Sequence, residues 1–347
     1  VARETTARER VAIVGAGLMG AQIGCGYALG GCTVVWVVRD RERAEPRIEQ
    51  ALALAVRHGL ADRAAIDAAR SRMSYGDSHE SGHTRDGHES DEHESDEHAG
   101  ADRPPGLIVE SLPEQLALKA EVLGELCARH PEATVASNTS SISISALGEA
   151  AGVAERIVGT HYWNPPLLMP LVEVVAGERA GAGLLERVAQ LLRAIGKRPV
   201  VLQREAPGLL WNRLQLAVLR ECEWLVEHGI ASPATIDEVM RDGLARRWRL
   251  TGPFETVGLG GAQTFDAVAE NLYPLLSDAR SGSGFAAHVP HDAEQLAALR
   301  ERRDSALAAD LRTERAARGA DARAGRADVA EGRADTPNRQ DRGEPAG

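Results

Sequence analysis

A doubly wound α/β sheet followed by an all-helical second domain is the fold class this sequence predicts, on three observations. A short apolar run, VAIV at 11–14, leads into a glycine-rich turn, GAGLMG at 15–20, then a small-residue helical stretch and a second apolar run, TVVWVV at 33–38. Apolar runs of strand length then alternate with helical stretches to about residue 203. After Ala206-Pro207-Gly208 the strand candidates stop and helical periodicity takes over. The sequence therefore divides into a sheet domain at 1–206, a helical domain at 207–300 and a low-complexity tail at 301–347.

The elements follow in order. Residues 44–72 are rich in Ala and Arg, with helical spacing through Ile48, Leu52, Ala55 and Val56, and His58-Gly59 marks a break between two helices. At residues 77–105 the character changes. DGHES, DEHES and DEHAG place His88, His93 and His98 at five-residue intervals, with no large apolar residue to bury, which predicts a disordered acidic insert lengthening a surface loop. Five-residue spacing does not stack histidines on one helix face, so no metal site is assigned there. The sheet resumes with LIVE at 107–110, a helix over 113–130 and the strand TVAS at 134–137. A helix at 145–151, strands at 156–163 and 171–177, a helix at 181–195 and a strand at 198–202 complete it. Helices are expected at 209–230, 233–244 and 261–279, and helical character to about 318, with disorder beyond.

Composition narrows the function classes. Residues 77–103 carry ten acids against two arginines, so most of the net charge of −11 lies there and no basic face is left for nucleic acid or a membrane. Aromatic residues make up 3% of the chain, so the core must be built from Val, Leu, Ile and Ala. The four cysteines, Cys25, Cys32, Cys127 and Cys222, have neither metal-ligand spacing nor a disulfide framework. With no run of 18 apolar residues and no signal pattern, a reduced, cytoplasmic protein is expected.

The glycine turn carries the first chemical reading. It leaves a strand, enters a helix and meets a second strand, which is the arrangement of a dinucleotide-binding site. Gly15 makes the tight turn, Gly17 lets backbone approach a pyrophosphate, and Gly20 lets helix pack on strand, with Leu18 and Met19 between them. The second strand should close on an acidic residue that holds the ribose hydroxyls. It closes instead on Val38, followed by Arg39 and Asp40. Either Asp40 reaches the ribose, which gives NAD, or Arg39, Arg41 or Arg43 meets a 2′-phosphate, which gives NADP; NAD is the first reading.

The second reading comes from HYWNPPLLMPLVE, residues 161–173. An imidazole can take a proton near neutral pH, and a carboxylate can fix its tautomer and stabilise the resulting cation. The proline corner between His161 and Glu173 can turn the chain so that the two side chains meet.

Four blocks now stand in a fixed order: GAGLMG, ESLPEQLALK at 110–119, SNTSSISIS at 137–145, and GTHYWNPPLLMPLVEVV at 159–175, followed by GKRPVVLQREAPGLLWNRL at 196–214. Together they resemble the L-3-hydroxyacyl-CoA dehydrogenase family over about residues 10–280, the insert excepted. The resemblance implies a Rossmann-type domain, a homodimer built through the helical domain, and an enzyme of fatty acid metabolism. Its reaction would pass a hydride from the C3 hydroxyl of a 3-hydroxyacyl-CoA to NAD. The matching residues would be His161 as general base, Glu173 as its partner, Ser137 on the substrate oxygen and Asn212 holding substrate from the helical domain. Glu114, Lys119 and Asn164 would lie around the cofactor. The chain departs from the thioester members, whose long basic helical hairpin after the second strand is shorter here and runs into the acidic insert. HYWNPP also looks closer to members acting on free hydroxy acids, such as L-gulonate 3-dehydrogenase and carnitine dehydrogenase. A small free 3-hydroxy acid is therefore the alternative substrate, and a non-catalytic nucleotide-binding sensor the alternative of another class.

Overall fold

The computed structural model describes residues 9–76, 104–282, 285 and 288–334. The acidic insert expected at 77–105 lies outside them but for its last two residues. The chain forms two compact units. The first takes in the chain to Thr139, Ile144–Gln203 and the stretch from Arg300 onward; the second takes in Ser140–Ser143 and Arg204–Leu299.

The first unit is an eight-stranded sheet. Its strands are β1 (Arg10–Val14), β2 (Thr33–Val37), β3 (Met73–Tyr75), β4 (Leu107–Glu110), β5 (Thr134–Ser137), β6 (Ile157–Tyr162), β7 (Leu171–Ala176) and β8 (Arg198–Val201). They lie in the order β3-β2-β1-β4-β5-β6-β7-β8. All neighbours run parallel except β6 and β7. Parallel strands are covered on both faces, which is why β1, β4 and β5 read as unbroken apolar runs and why Val11, Ile13, Ile108 and Val135 have no exposed surface. The strand order reverses between β1 and β4, and the crevice at that reversal is where this class of sheet binds ligands.

The helices of this unit are α1 (Leu18–Leu29), α2 (Arg41–Arg57), α3 (Arg63–Arg70), α4 (Leu116–Arg129), α5 (Ile144–Ala150) and α6 (Leu184–Ala194). Asp40 caps α2 by accepting from Arg43 N, and Asp62 caps α3 by accepting from Ala65 N. The expected break falls between α2 and α3, at His58-Gly59, where Gly59 takes a φ of +64°. Strand β3 was not expected.

The second unit is helical, as expected, but its helices are more broken. It holds α7 (Trp211–Glu227), α8 (Pro233–Glu238), a π-helical turn over Val239–Leu244, α9 (Ala245–Trp248), α10 (Pro253–Gly260) and α11 (Ala262–Leu272). The expected helix at 233–244 is therefore part α and part π, and α10 had no counterpart in the sequence reading. Large apolar side chains of this unit lie open to solvent in a single chain, among them Phe254 (91% exposed), Leu250 (83%) and Leu259 (78%).

The last helix, α12, runs over Ala293–Ala334. Its stretch from Arg300 onward belongs to the sheet unit. Ala308 and Leu311 are buried, Arg312 donates to the His58 carbonyl, and Glu314 pairs with Arg198 at 3.1 Å. A few anchors and an Ala- and Arg-rich sequence of high helix propensity sustain it. No helix among the described residues is long and apolar enough to cross a membrane.

Candidate active site

The hairpin of β6 and β7 brings His161 and Glu173 together. The two residues face each other in the antiparallel register, so the twelve-residue spacing through the proline corner becomes direct contact. His161 Nδ1 lies 2.6 Å from Glu173 Oε2, and both side chains are buried. A buried carboxylate accepts, so Nδ1 carries the proton and Nε2 is left with the lone pair. Trp163 Nε1 donates to the same Glu173 oxygen at 3.5 Å. Asn138 Oδ1 accepts from Tyr162 N at 2.9 Å, which ties the end of β5 to the strand carrying the histidine. Asn164 follows on an exposed turn, through a cis peptide to Pro165.

Beside this pair lies a buried polar network that the sequence reading did not find. Its centre is Glu110, which closes β4 with no exposed surface. Its carboxylate accepts from Lys119 Nζ at 2.6 Å, from Ser137 Oγ at 2.5 Å and from Leu112 N at 2.5 Å. Lys119, itself buried, also lies 3.3 Å from Glu114 and donates to the Leu112 carbonyl; Glu114 in turn accepts from Thr139 Oγ1 at 2.6 Å. The available signal was a single carboxylate ending an apolar strand, where an unpaired charge would be costly.

This network also holds Ser137, the residue expected on the substrate oxygen. The side chain has no exposed surface, and its one hydroxyl proton goes to Glu110 while its oxygen accepts from Thr139 N. That arrangement fixes the end of β5.

A cleft of about 810 Å³ opens at the β1/β4 reversal, lined by the glycine turn, the end of β2, Ser111, Leu112, Pro113 and one face of α4. Its shape fits a dinucleotide. Gly15 takes a φ of +92°, and a Cβ on Gly20 would sit 2.0 Å from the Gly15 carbonyl oxygen, so neither position admits a side chain. Gly17 caps α1 without a side-chain acceptor and has open space where a Cβ would be, so the helix N-terminus faces the cleft bare. Ser111 Oγ is buried there with no hydrogen-bond partner among the described residues. Leu18, Met19 and Asp40 also line the cleft. The Asp40 carboxylate is already engaged, by Arg43 N and by Arg43 Nε, each at 3.0 Å. Lys119 and Glu114 belong to the Glu110 network that borders the cleft through Leu112.

Asn212 lies in the second unit, in the first turn of α7, where its Nδ2 donates to the Ser140 carbonyl at 3.4 Å. Among the described residues no group of three or more His, Cys, Asp or Glu side chains could hold a metal ion.

Comparison with known proteins agrees with this architecture. The family model described as 3-hydroxyacyl-CoA dehydrogenase, NAD binding domain, matches residues 10–87 and 92–206, and that of the corresponding C-terminal domain matches residues 208–287. A 5-formyl-3-hydroxy-2-methylpyridine 4-carboxylate 5-dehydrogenase from Mesorhizobium japonicum is 31% identical over 224 residues, 59% of this chain and 71% of that protein. An L-carnitine dehydrogenase from Nocardiopsis dassonvillei is 41% identical over 157 residues, 45% of this chain and 48% of its own, so the chain spans about half of that relative's length. Among solved structures, a 5-formyl-3-hydroxy-2-methylpyridine 4-carboxylic acid 5-dehydrogenase described as an NAD+-dependent dismutase superposes with a TM-score of 0.72 at 26% identity. That match covers 88% of this chain and 98% of the other.

Proposed function

The chain belongs to the 3-hydroxyacyl-CoA dehydrogenase family, and from that premise we propose that it oxidises the secondary alcohol of a small free hydroxy acid. The observation that carries this choice of substrate is the pair of curated relatives described above. By their names they act on carnitine and on a pyridine carboxylate, neither of which is a thioester. The acyl-CoA reading, which the family resemblance put first, becomes the second reading.

Bound in the cleft, the dinucleotide supplies the hydride acceptor. His161 Nε2 takes the proton of the substrate hydroxyl, and Glu173 holds Nδ1–H and stabilises the imidazolium that forms. Trp163 holds the Glu173 carboxylate, and Asn138 holds the backbone next to His161. Lys119, Glu114 and Asn164 serve the cofactor side, and Asn212 contacts the substrate from the helical unit. Ser137, held in place by Glu110, serves the substrate oxygen.

The working form is a homodimer. Phe254, Leu250 and Leu259 are apolar side chains that a soluble unit does not leave bare, and a second copy covers them.

The test is an oxidation panel with NAD+ and NADP+ against L-carnitine, L-gulonate, other small 3-hydroxy acids and 3-hydroxybutyryl-CoA. The expected result is a kcat/KM at least tenfold higher on one of the free acids than on the thioester. Turnover confined to thioesters would restore the acyl-CoA reading.

A further inference from the structure

We propose that the adenosine end of the cleft accepts a 2′-phosphate, so that this chain binds NADP at least as tightly as NAD. The inference rests on the dinucleotide reading of the cleft and adds which form of the dinucleotide fits it.

Selection for NAD in this fold comes from a carboxylate at the end of the second strand. It hydrogen-bonds the ribose hydroxyls and repels a 2′-phosphate. Here β2 ends at Val37, and the next residue, Val38, is apolar. The nearest carboxylate is Asp40, and its oxygens cap α2 and pair with Arg43. Turning it toward a ribose would leave the helix uncapped and Arg43 without its partner.

The groups that do face the cleft from this side are cationic. Arg39, Arg43 and Arg47 all line it. Arg43 and Arg47 are four residues apart, one turn of the same face of α2, and Arg39 leads into that helix. Arg39 and Arg47 are exposed and make no hydrogen bond or ion pair among the described residues. Arg41 is turned elsewhere, its guanidinium 4.2 Å from the centre of the Tyr75 ring. Glu121 and Glu125 line the cleft as well, but from α4, not from the β2–α2 corner where the ribose 2′ position lies. A planar guanidinium meets a phosphate through two parallel N–H bonds, so two arginines at that corner without partners among the described residues form a site for a dianion and give a neutral hydroxyl no comparable contact.

The proposal is tested by titration calorimetry of the full chain with NAD+, NADP+, 5′-AMP and adenosine 2′,5′-bisphosphate, at low and high salt. The expected result is that NADP+ binds at least as tightly as NAD+, and the bisphosphate at least as tightly as AMP. Salt should weaken the 2′-phosphorylated member of each pair more. In the Arg39→Ala, Arg47→Ala double variant the ratio of NADP+ to NAD+ affinity should fall at least tenfold. Tighter binding of NAD+ by the unaltered chain overturns the proposal, as does an equal loss of both affinities in the double variant. Binding of neither dinucleotide would overturn the reading of the cleft itself and this inference with it.

Discussion

Replacing Glu110 by Gln should destabilise the sheet unit by about 3 kcal/mol or more. The magnitude follows from what the carboxylate faces. Glu110 and Lys119 are both buried and lie 2.6 Å apart. Removing one member of such a pair typically costs about 3–5 kcal/mol, because the remaining charge is left without compensation. Lys119 would keep Glu114 at 3.3 Å and the Leu112 carbonyl at 3.1 Å, which places the loss near the lower end of that range. A glutamine offers one acceptor oxygen where Ser137 Oγ, Leu112 N and Lys119 Nζ all now donate, so at least one buried donor also loses its acceptor. The assay is urea unfolding of the full chain with Glu110→Gln, Lys119→Met and both changes together. With both charges removed no ion is stranded, so the double variant should be more stable than the sum of the single losses predicts, by at least about 1.5 kcal/mol. Additive losses within about 0.5 kcal/mol would show that the two side chains are not coupled and would refute the network.

Other outcomes follow from the same structure. Burial, with Arg315 as a lesser cause, pulls Lys197 down from 10.5 to about 7. Between those values the unfolded chain binds the proton more strongly than the folded one, so stability should rise as pH increases from about 7 toward 10.5. Lys197→Met should flatten that slope, and an unchanged pH profile of urea midpoints would contradict the shift. Burial pushes Cys25 and Cys32 up to about 12 and raises Cys127; Cys222 is raised too, by burial and by Asp237 and Glu221, but it is only half-buried. An aromatic disulfide reagent at pH 8 should therefore titrate Cys222, slowly, in the folded protein and the other three cysteines only after denaturation. For the dimer, light scattering should give about twice the chain mass of 37.0 kDa. Leu250→Asp with Phe254→Asp should lower it to a single chain, and an unaltered dimer would place the interface elsewhere.

Much of this fold was legible because its strands are buried on both faces and so read as continuous apolar runs between helices. The same rule explains what was missed. β3 is three residues long at the edge of the sheet, and Ser74 interrupts its apolar character. Two buried side chains and a few charged contacts, none legible as a pattern in the sequence, anchor α12. In the candidate site, spacing was enough to pair His161 with Glu173, because a hairpin converts sequence distance into register. It did not reveal the contact of Ser137 with Glu110, which lies 27 residues away in sequence and meets it only when β4 and β5 pair. The ribose corner was read as either Asp40 or the arginines, and the engagement of Asp40 by Arg43 appears only in three dimensions.

The central claim is that the buried histidine held by Glu173 is the proton acceptor of a dehydrogenation. His161→Gln keeps a polar side chain in the hairpin and removes the titratable nitrogen. Steady-state oxidation of whichever hydroxy acid the panel identifies, measured beside dinucleotide affinity by calorimetry, tests it directly. The account predicts that kcat falls by about 10²- to 10⁴-fold while dinucleotide affinity changes less than threefold. Turnover within about tenfold of the unaltered chain, at full dinucleotide affinity, would contradict it.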